Sequence, residues 1–334
     1  MKERLTYIDN LRGLCLTLMI LGHAGLNLAE KNLIYSFHMP AFYFLAGLLY
    51  HGTQPDAARF LGRKARALLL PYALYVLLIF LVSRSLVGWN AGCWVHLRGA
   101  FLYGLGIRYG GGALWFLPAL FWTYALIVAA GRLRSPAWLT ALLCLGGAWA
   151  AGHYGWRLWF GFTFTGPFFF LAGHLYARPA ERLQQAVRSA AWRRALAAVL
   201  FLAVYALLMY AAGYPGRTVF NIAYMPGNPP MLLAALTAVA GLLLLFRLWR
   251  APAWWTRLAA YASRHALTLI GCHFVPIVLS KELHWFTGWE RWPRILALMG
   301  IEAVWLALTC AVVGRWLPLL EGRLPGWLAR RVSK

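Results

Sequence analysis

Apolar runs close to the length of a bilayer crossing recur from one end of the chain to the other, at residues 10–29, 34–52, 68–88, 113–131, 137–152, 158–177, 195–213, 230–248, 265–283 and 294–314. A helix of about 20 apolar residues covers the ~30 Å hydrocarbon core and satisfies its backbone N–H and C=O groups internally. The pattern therefore predicts an all-α, polytopic integral membrane protein with about ten transmembrane helices. The fifth run is short, and the link between the third and fourth has more than one reading. No polar stretch approaches the ~50 residues of a separate soluble domain, so residues 1–334 read as a single transmembrane unit.

The connections differ in character. Two of them, 53–67 and 178–194, are basic; Leu183, Ala186, Val187 and Ala190 fall on one side of a helix in the second, which is either an amphipathic surface helix or a solvated connector. Trp89–Gly112, His153–Arg157 and Tyr214–Pro230 are rich in aromatic residues, glycine or proline. Their aromatic residues serve either as the interfacial belt common to membrane proteins or as a ligand platform. Within the first of them, Ala100–Ile107 is too short to span and precedes Arg108 and the glycines at 110–112, which suits a re-entrant or surface segment.

Hydrophobic residues are 62% of the chain, charged residues 12%, and mean hydropathy is +0.61, which excludes an ordinary soluble domain. A net charge of +23 would by itself suggest a nucleic-acid partner. The cations, however, are dispersed in short connections beside apolar runs. With the N-terminus in the cytoplasm and the runs alternating, 23 of the 32 Lys and Arg fall inside. Topology accounts for the charge, both termini are expected to be cytoplasmic, and no nucleic-acid partner is expected. The first run carries Arg12 and lacks a small-residue cleavage site, so it reads as a retained anchor. Cys15, Cys144, Cys272 and Cys310 lie in predicted spans and Cys93 in an outer connection, with no evident disulfide pair or metal-ligand spacing.

Against this apolar background, Arg12 and His23 stand out in the first span. Eleven helical steps leave the two side chains ~20° apart in azimuth and ~16 Å apart along the axis. One face thus carries a cation near the membrane surface and an imidazole deep inside. Taken singly, Arg12 reads as a topology anchor and His23 as a packing residue; ionisable groups sharing one face in hydrocarbon point to function. After a short outer turn comes the segment from Ile34 to Gly47, which contains His38 and Pro40. If the first helix leaves the membrane near Ala29 and the second enters near Ile34, both histidines lie ~6 to 9 Å below the outer surface. Pro40 is expected to free backbone groups that require protein or water beside them, and so to mark a wet cavity.

Asp9 before Leu11-Arg12-Gly13, Arg12 and His23 separated by ten residues, and Phe37-His38-Met39-Pro40 leading into a Phe-rich helix with Leu45-Ala46-Gly47 resemble the family-3 membrane acyltransferases. Within them the chain is most similar to the fucose 4-O-acetylase-like group, which O-acetylates sugars. The segment Phe60 to Tyr72 resembles the family's basic loop before the third span, and Leu114-Trp115-Phe116-Leu117 its Trp-Phe-Leu segment. Ala266 to His273 resembles its late histidine helix, with Ala266 where Ser is usual and Ile270 where Tyr is usual.

The resemblance implies acyl transfer in a bacterial inner membrane. The donor would be cytoplasmic acetyl-CoA, and the acceptor a hydroxyl of an envelope or exported saccharide, free or lipid-linked. The ~16 Å between Arg12 and His23 matches the reach of an extended pantetheine arm. Arg12 suits the CoA phosphates because its planar donors bind oxygen anions bidentately. Arg63, Lys64 and Arg66 either add attraction at the same mouth or are topological charge. His23 is the expected general base, since imidazole titrates in the range that alcoholysis of a thioester needs. His38 orients His23, donates to the oxyanion, contacts the sugar, or is a core histidine bonded to a carbonyl. Asp9 orients Arg12, accepts a hydrogen bond from the donor, or caps the helix. Trp115, Phe116, His273 and Glu302 are candidate cavity residues; Glu302, an acid within a span, needs a partner or a proton. His174, near the cytoplasmic end of the sixth span, reads as structural. No metal is expected, because histidines are scattered and carboxylates few. Neither a Gly-x-Ser-x-Gly elbow nor a Gly-x-x-x-x-Gly-Lys loop occurs. The competing readings are a transporter or flippase with proton-relay histidines, and an acyltransferase for a small-molecule acceptor.

Overall fold

The computed structural model describes residues 6–52, 54–88, 93–103, 112–154, 164–176, 182, 190–216, 222, 225–248 and 251–323. Among these residues every regular element is helical and none is a strand. The chain runs through α1 (Thr6–His23), α2 (Leu28–Tyr35), α3 (His38–Leu48), α4 (Ala57–Val87), α5 (Cys93–Tyr103), α6 (Phe116–Arg132) and α7 (Ala137–His153). It continues through α8 (helical residues 164–176), α9 (Ala191–Ala211), α10 (Pro229–Leu248), α11 (Ala253–Arg264), α12 (Ala266–Cys272), α13 (Phe274–Glu282) and α14 (Arg291–Trp316).

Four helical stretches among the described residues are long and apolar enough to cross a membrane: Ala57–Val82, Ala191–Ala211, Pro229–Leu248 and Arg291–Trp316. A fifth forms if Ala253–Arg264 and Ala266–Glu282, bent by 74°, count as one span. The runs 10–29, 34–52, 113–131 and 137–152 are covered by shorter helices, and 158–177 lies partly outside the described residues. The run 10–29 breaks after His23, where Gly25 takes φ +108°, a left-handed value that favours glycine. Asn27 then starts α2 with a reciprocal capping box: its side chain accepts the Glu30 N–H at 2.9 Å, and the Glu30 carboxylate accepts the Asn27 N–H at 2.8 Å.

Two local expectations are corrected. Pro40 does not interrupt a helix, because α3 begins at His38 and Pro40 lies in its first turn, where the missing N–H has no intrahelical partner to lose. The segment holding Arg63, Lys64 and Arg66 is not a loop: α4 starts at Ala57, capped by the Asp56 side chain, which accepts the Arg59 N–H at 2.8 Å. Of the surface segment expected between 178 and 194, Leu183, Ala186 and Val187 lie outside the described residues, while Ala190 is extended and precedes α9. In the connection 89–112, Cys93 to Tyr103 is helical; Arg108, Gly110 and Gly111 lie outside the described residues.

The core gathers around α1, α3 and α10, with Leu11, Leu16, Tyr43, Leu45, Met231 and Leu243 all buried. At one end of α1, Arg247 from the last turn of α10 donates to the Tyr7 hydroxyl at 2.6 Å. Beyond its other end, Glu30 pairs with Arg291, the first residue of α14, at 3.0 Å. Helix α1 therefore runs antiparallel to both α10 and α14. Helices α3 and α8 cross backbone to backbone: a Cβ on Gly47 would overlap the Phe170 carbonyl, and one on Gly173 the Phe44 carbonyl. Small residues allow such an approach, and dispersion across it holds apolar helices together where lipid removes the hydrophobic drive.

Candidate active site

Three helix breaks deliver the polar groups to one place: the end of α1 at His23, the start of α3 at His38, and the junction of α12 and α13 at His273. The ring centroids of His23 and His273 are 5.4 Å apart, and Phe274 packs against both at 4.5 Å. Tyr35, the last residue of α2, folds back over Gly22, where a Cβ would meet its ring at 2.8 Å. From there the Tyr35 ring reaches His38, with centroids 5.1 Å apart, and its hydroxyl lies 3.4 Å from His23 Nδ1.

The hydrogen bonds select a tautomer for each imidazole. His38 Nδ1 is 2.9 Å from the Ile34 carbonyl and His273 Nδ1 2.9 Å from the Leu269 carbonyl. A carbonyl only accepts, so both Nδ1 atoms carry the proton and each Nε2 presents a lone pair. The Tyr35 hydroxyl is 3.4 Å from the Gly22 carbonyl as well as from His23 Nδ1. Donation to the carbonyl and acceptance from His23 Nδ1–H satisfy both contacts at once, and leave His23 Nε2 free to take a proton.

His23 stands between two cavities. The first, of about 230 Å³, is walled by Met19, Tyr35, His38, Phe42, Trp115 and Phe116. The second, of about 270 Å³, lies toward the C-terminal end of α1 and is bordered by Gly25, Ser280, Lys281, His284 and Arg294. His38 is buried yet lines the first cavity. His273 is fully buried behind His23, and its Nε2 has no partner among the described residues.

Arg12 lies on the same unbroken helix as His23, so the two remain ~16 Å apart along its axis. Its charge acts on the hydroxyl of Tyr124 in α6, and Lys64 from α4 sits 4.0 Å over the same ring. Arg12 and Lys64 thus converge from two helices on one aromatic residue. Arg63 and Arg66 are exposed along α4. Asp9, one turn before Arg12, is buried, and both are engaged in polar interactions. His174 packs edge-on against Tyr50, with centroids 5.7 Å apart.

Glu302 lines neither cavity. It is buried in α14 beside Cys272, and both carboxylate oxygens lack a partner among the described residues. No group of three or more His, Cys, Asp or Glu side chains among the described residues is placed to hold a metal ion. Four cysteines, Cys15, Cys144, Cys272 and Cys310, are free. Sequence reasoning did not single out Tyr35 or Phe274. The available signals were weak: Tyr35 precedes His38 by three residues and Phe274 follows His273 directly, but nothing separates them from belt aromatics.

Residues 5–316 match the family model described as an acyltransferase domain, that of the family-3 acyltransferases. The chain belongs to this family. No curated protein and no solved structure matches it. The match runs from the residue before α1 to the end of α14, so it takes in all three histidines and both cavities of this membrane acyltransferase. Its histidine cluster lies between a chamber walled by aromatic side chains and one bordered by Lys281 and Arg294.

Proposed function

We propose that this acyltransferase moves an acetyl group from acetyl-CoA in the cytoplasm to a hydroxyl of an envelope or exported saccharide, across a bacterial inner membrane. One observation carries the reading: His23 separates two cavities at the end of a helix whose other half bears Arg12. The charge distribution supports a cytoplasmic N-terminus, and with it a donor side at Arg12 and Lys64 and an acceptor side beyond His23.

Arg12 holds the CoA phosphates, with Lys64, Arg63 and Arg66 raising the local positive potential. The aromatic cavity takes the thioester end. His23 Nε2 removes the proton from the acceptor hydroxyl as its oxygen attacks the thioester carbonyl carbon. When the tetrahedral intermediate collapses, the C–S bond breaks and the His23 imidazolium returns the proton to the leaving thiolate. The products are the O-acetyl ester and CoA thiol. Tyr35 keeps His23 in the tautomer this requires. That orienting role falls to Tyr35 rather than His38, whose Nε2, an acceptor in this tautomer, suits an N–H or O–H of a substrate better than an oxyanion.

The 74° bend at His265, between α11 and α12, is the kind of discontinuous helix that a transporter uses, but membership of an acyltransferase family favours the enzyme. The deciding experiment has two parts. Purified protein should consume acetyl-CoA in the presence of acceptor. Mass spectrometry of envelope glycans, with and without the gene, should show an acetyl increment that depends on it. No acetyl-CoA turnover with any envelope fraction would overturn the reading.

A further inference from the structure

Four of the nine Lys and Arg that the charge bias leaves outside gather around the outer side of His23. Lys31 is on α2, Lys281 in the last turn of α13, and Arg291 and Arg294 in the first turn of α14. Positive-inside topology has no use for them there. Arg291 is committed to Glu30 through two hydrogen bonds, at 3.0 and 3.2 Å. Lys281 and Arg294 make no ion pair with any described residue, although Glu282 and Glu290 are close in sequence.

These two unpaired cations border the cavity of about 270 Å³ beside His23, and among the described residues no carboxylate lines it. The Arg294 guanidinium lies against Gly25, where a Cβ would be 3.5 Å from Nη2. Lys281 and Lys31 are near enough to act electrostatically on His23. The cavity's hydroxyls are already spent as donors: Ser280 donates to the Ile277 carbonyl at 2.8 Å and Thr287 to the His284 carbonyl at 2.9 Å. His284 Nδ1 is directed at the Glu282 carbonyl, 3.1 Å away. The uncommitted side-chain donors are therefore the ammonium of Lys281 and the guanidinium of Arg294, and both call for an oxyanion.

We infer that this outer cavity is the acceptor subsite and that it takes an anionic acceptor, a saccharide bearing a carboxylate or phosphate close to the hydroxyl that His23 deprotonates. The inference rests on the acyl-transfer reading of His23. The anion seats between Lys281 and Arg294, and the neighbouring hydroxyl is left at the His23 wall. A neutral sugar offers neither cation a charge-assisted hydrogen bond, so the same pair favours the anion over it.

Calorimetric titration of the purified protein in nanodiscs with glucuronic acid, glucose 6-phosphate and methyl glucoside reads the cavity without any acyl donor. At least one anionic probe should bind about tenfold or more tighter than the neutral one, with affinity falling as salt rises. Preference for glucuronic acid alone identifies a carboxylate, for glucose 6-phosphate alone a phosphate, and for both a general oxyanion site. Lys281→Gln and Arg294→Gln should each reduce the anionic-to-neutral preference about tenfold, and Lys281→Arg should restore most of it. Retained CoA binding shows that the variants are folded. Equal binding of charged and neutral probes, or an unchanged preference in both variants, overturns the inference. Anion binding without acetyl-CoA turnover would leave the subsite standing and remove the acyl-transfer reading; turnover confined to neutral acceptors would do the opposite.

Discussion

The Tyr35 hydroxyl and His23 Nδ1 lie 3.4 Å apart although the residues close different helices, one ending α2 and the other α1. The contact exists because the chain reverses between them and because Gly22 offers no side chain to the returning ring. Removing the hydroxyl should leave His23 in place but free its ring to take the other tautomer. For Tyr35→Phe we expect kcat to fall about tenfold, the equivalent of one hydrogen bond, with the KM for acetyl-CoA unchanged. Steady-state kinetics decide it, and an unaltered kcat would remove Tyr35 from the mechanism.

His23→Ala should lower transfer by about 10² to 10⁴, the usual loss for a general base, while membrane insertion and CoA binding persist. Acetyl transfer measured beside binding of a CoA analogue separates the two effects. Near-normal turnover would rule out His23 as the base.

Arg12→Ala should weaken acyl-CoA binding, and Arg12→Lys should recover only part of it, because an ammonium cannot make the planar bidentate contact. Titration of the purified variants with a CoA analogue tests this. Equal affinity in both variants and the native protein would make Arg12 a topological residue only.

Donor and acceptor should approach from opposite faces. In sealed vesicles of known orientation, acetylation of an outer acceptor is expected only when acetyl-CoA is supplied on the cytoplasmic face. Equal activity with acetyl-CoA confined to the outer face would sink the two-sided scheme and leave acyl transfer intact.

Gly47→Ala and Gly173→Ala should each destabilise the α3–α8 crossing by about 1–3 kcal/mol, the range for overpacking a tight contact, since the added methyl meets backbone rather than a flexible side chain. Gly62→Ala, with nothing within 4 Å of its Cβ, is the control. Thermal unfolding in detergent should show lower midpoints for the first two alone.

Much of the architecture was legible because membrane insertion is decided by composition over about 20 residues at a time, and the runs ending in α4, α9, α10 and α14 carry that signal plainly. The broken runs were harder. The helix that stops at His23 and the one that restarts at His38 look like continuous apolar spans, since hydropathy does not register a single Gly25 at φ +108°. The Asn27–Glu30 capping box was readable in principle, yet it sat inside a run that hydropathy alone assigned to one crossing.

By itself the sequence determined the class of solvent around the protein, the helical content, and the pairing of Arg12 with His23, because a helix converts an eleven-residue spacing into one face and ~16 Å. It also supplied the motif that belongs to an acyltransferase family. Only the tertiary structure decided which distant groups meet His23. Tyr35, His273, Lys281 and Arg294 reach it from other helices, and Glu302 does not border either cavity. The physical reason is that periodicity within one helix is set by local backbone geometry. Contact between helices depends on where each one breaks and which small residues, such as Gly22, Gly47 and Gly173, let its neighbours approach.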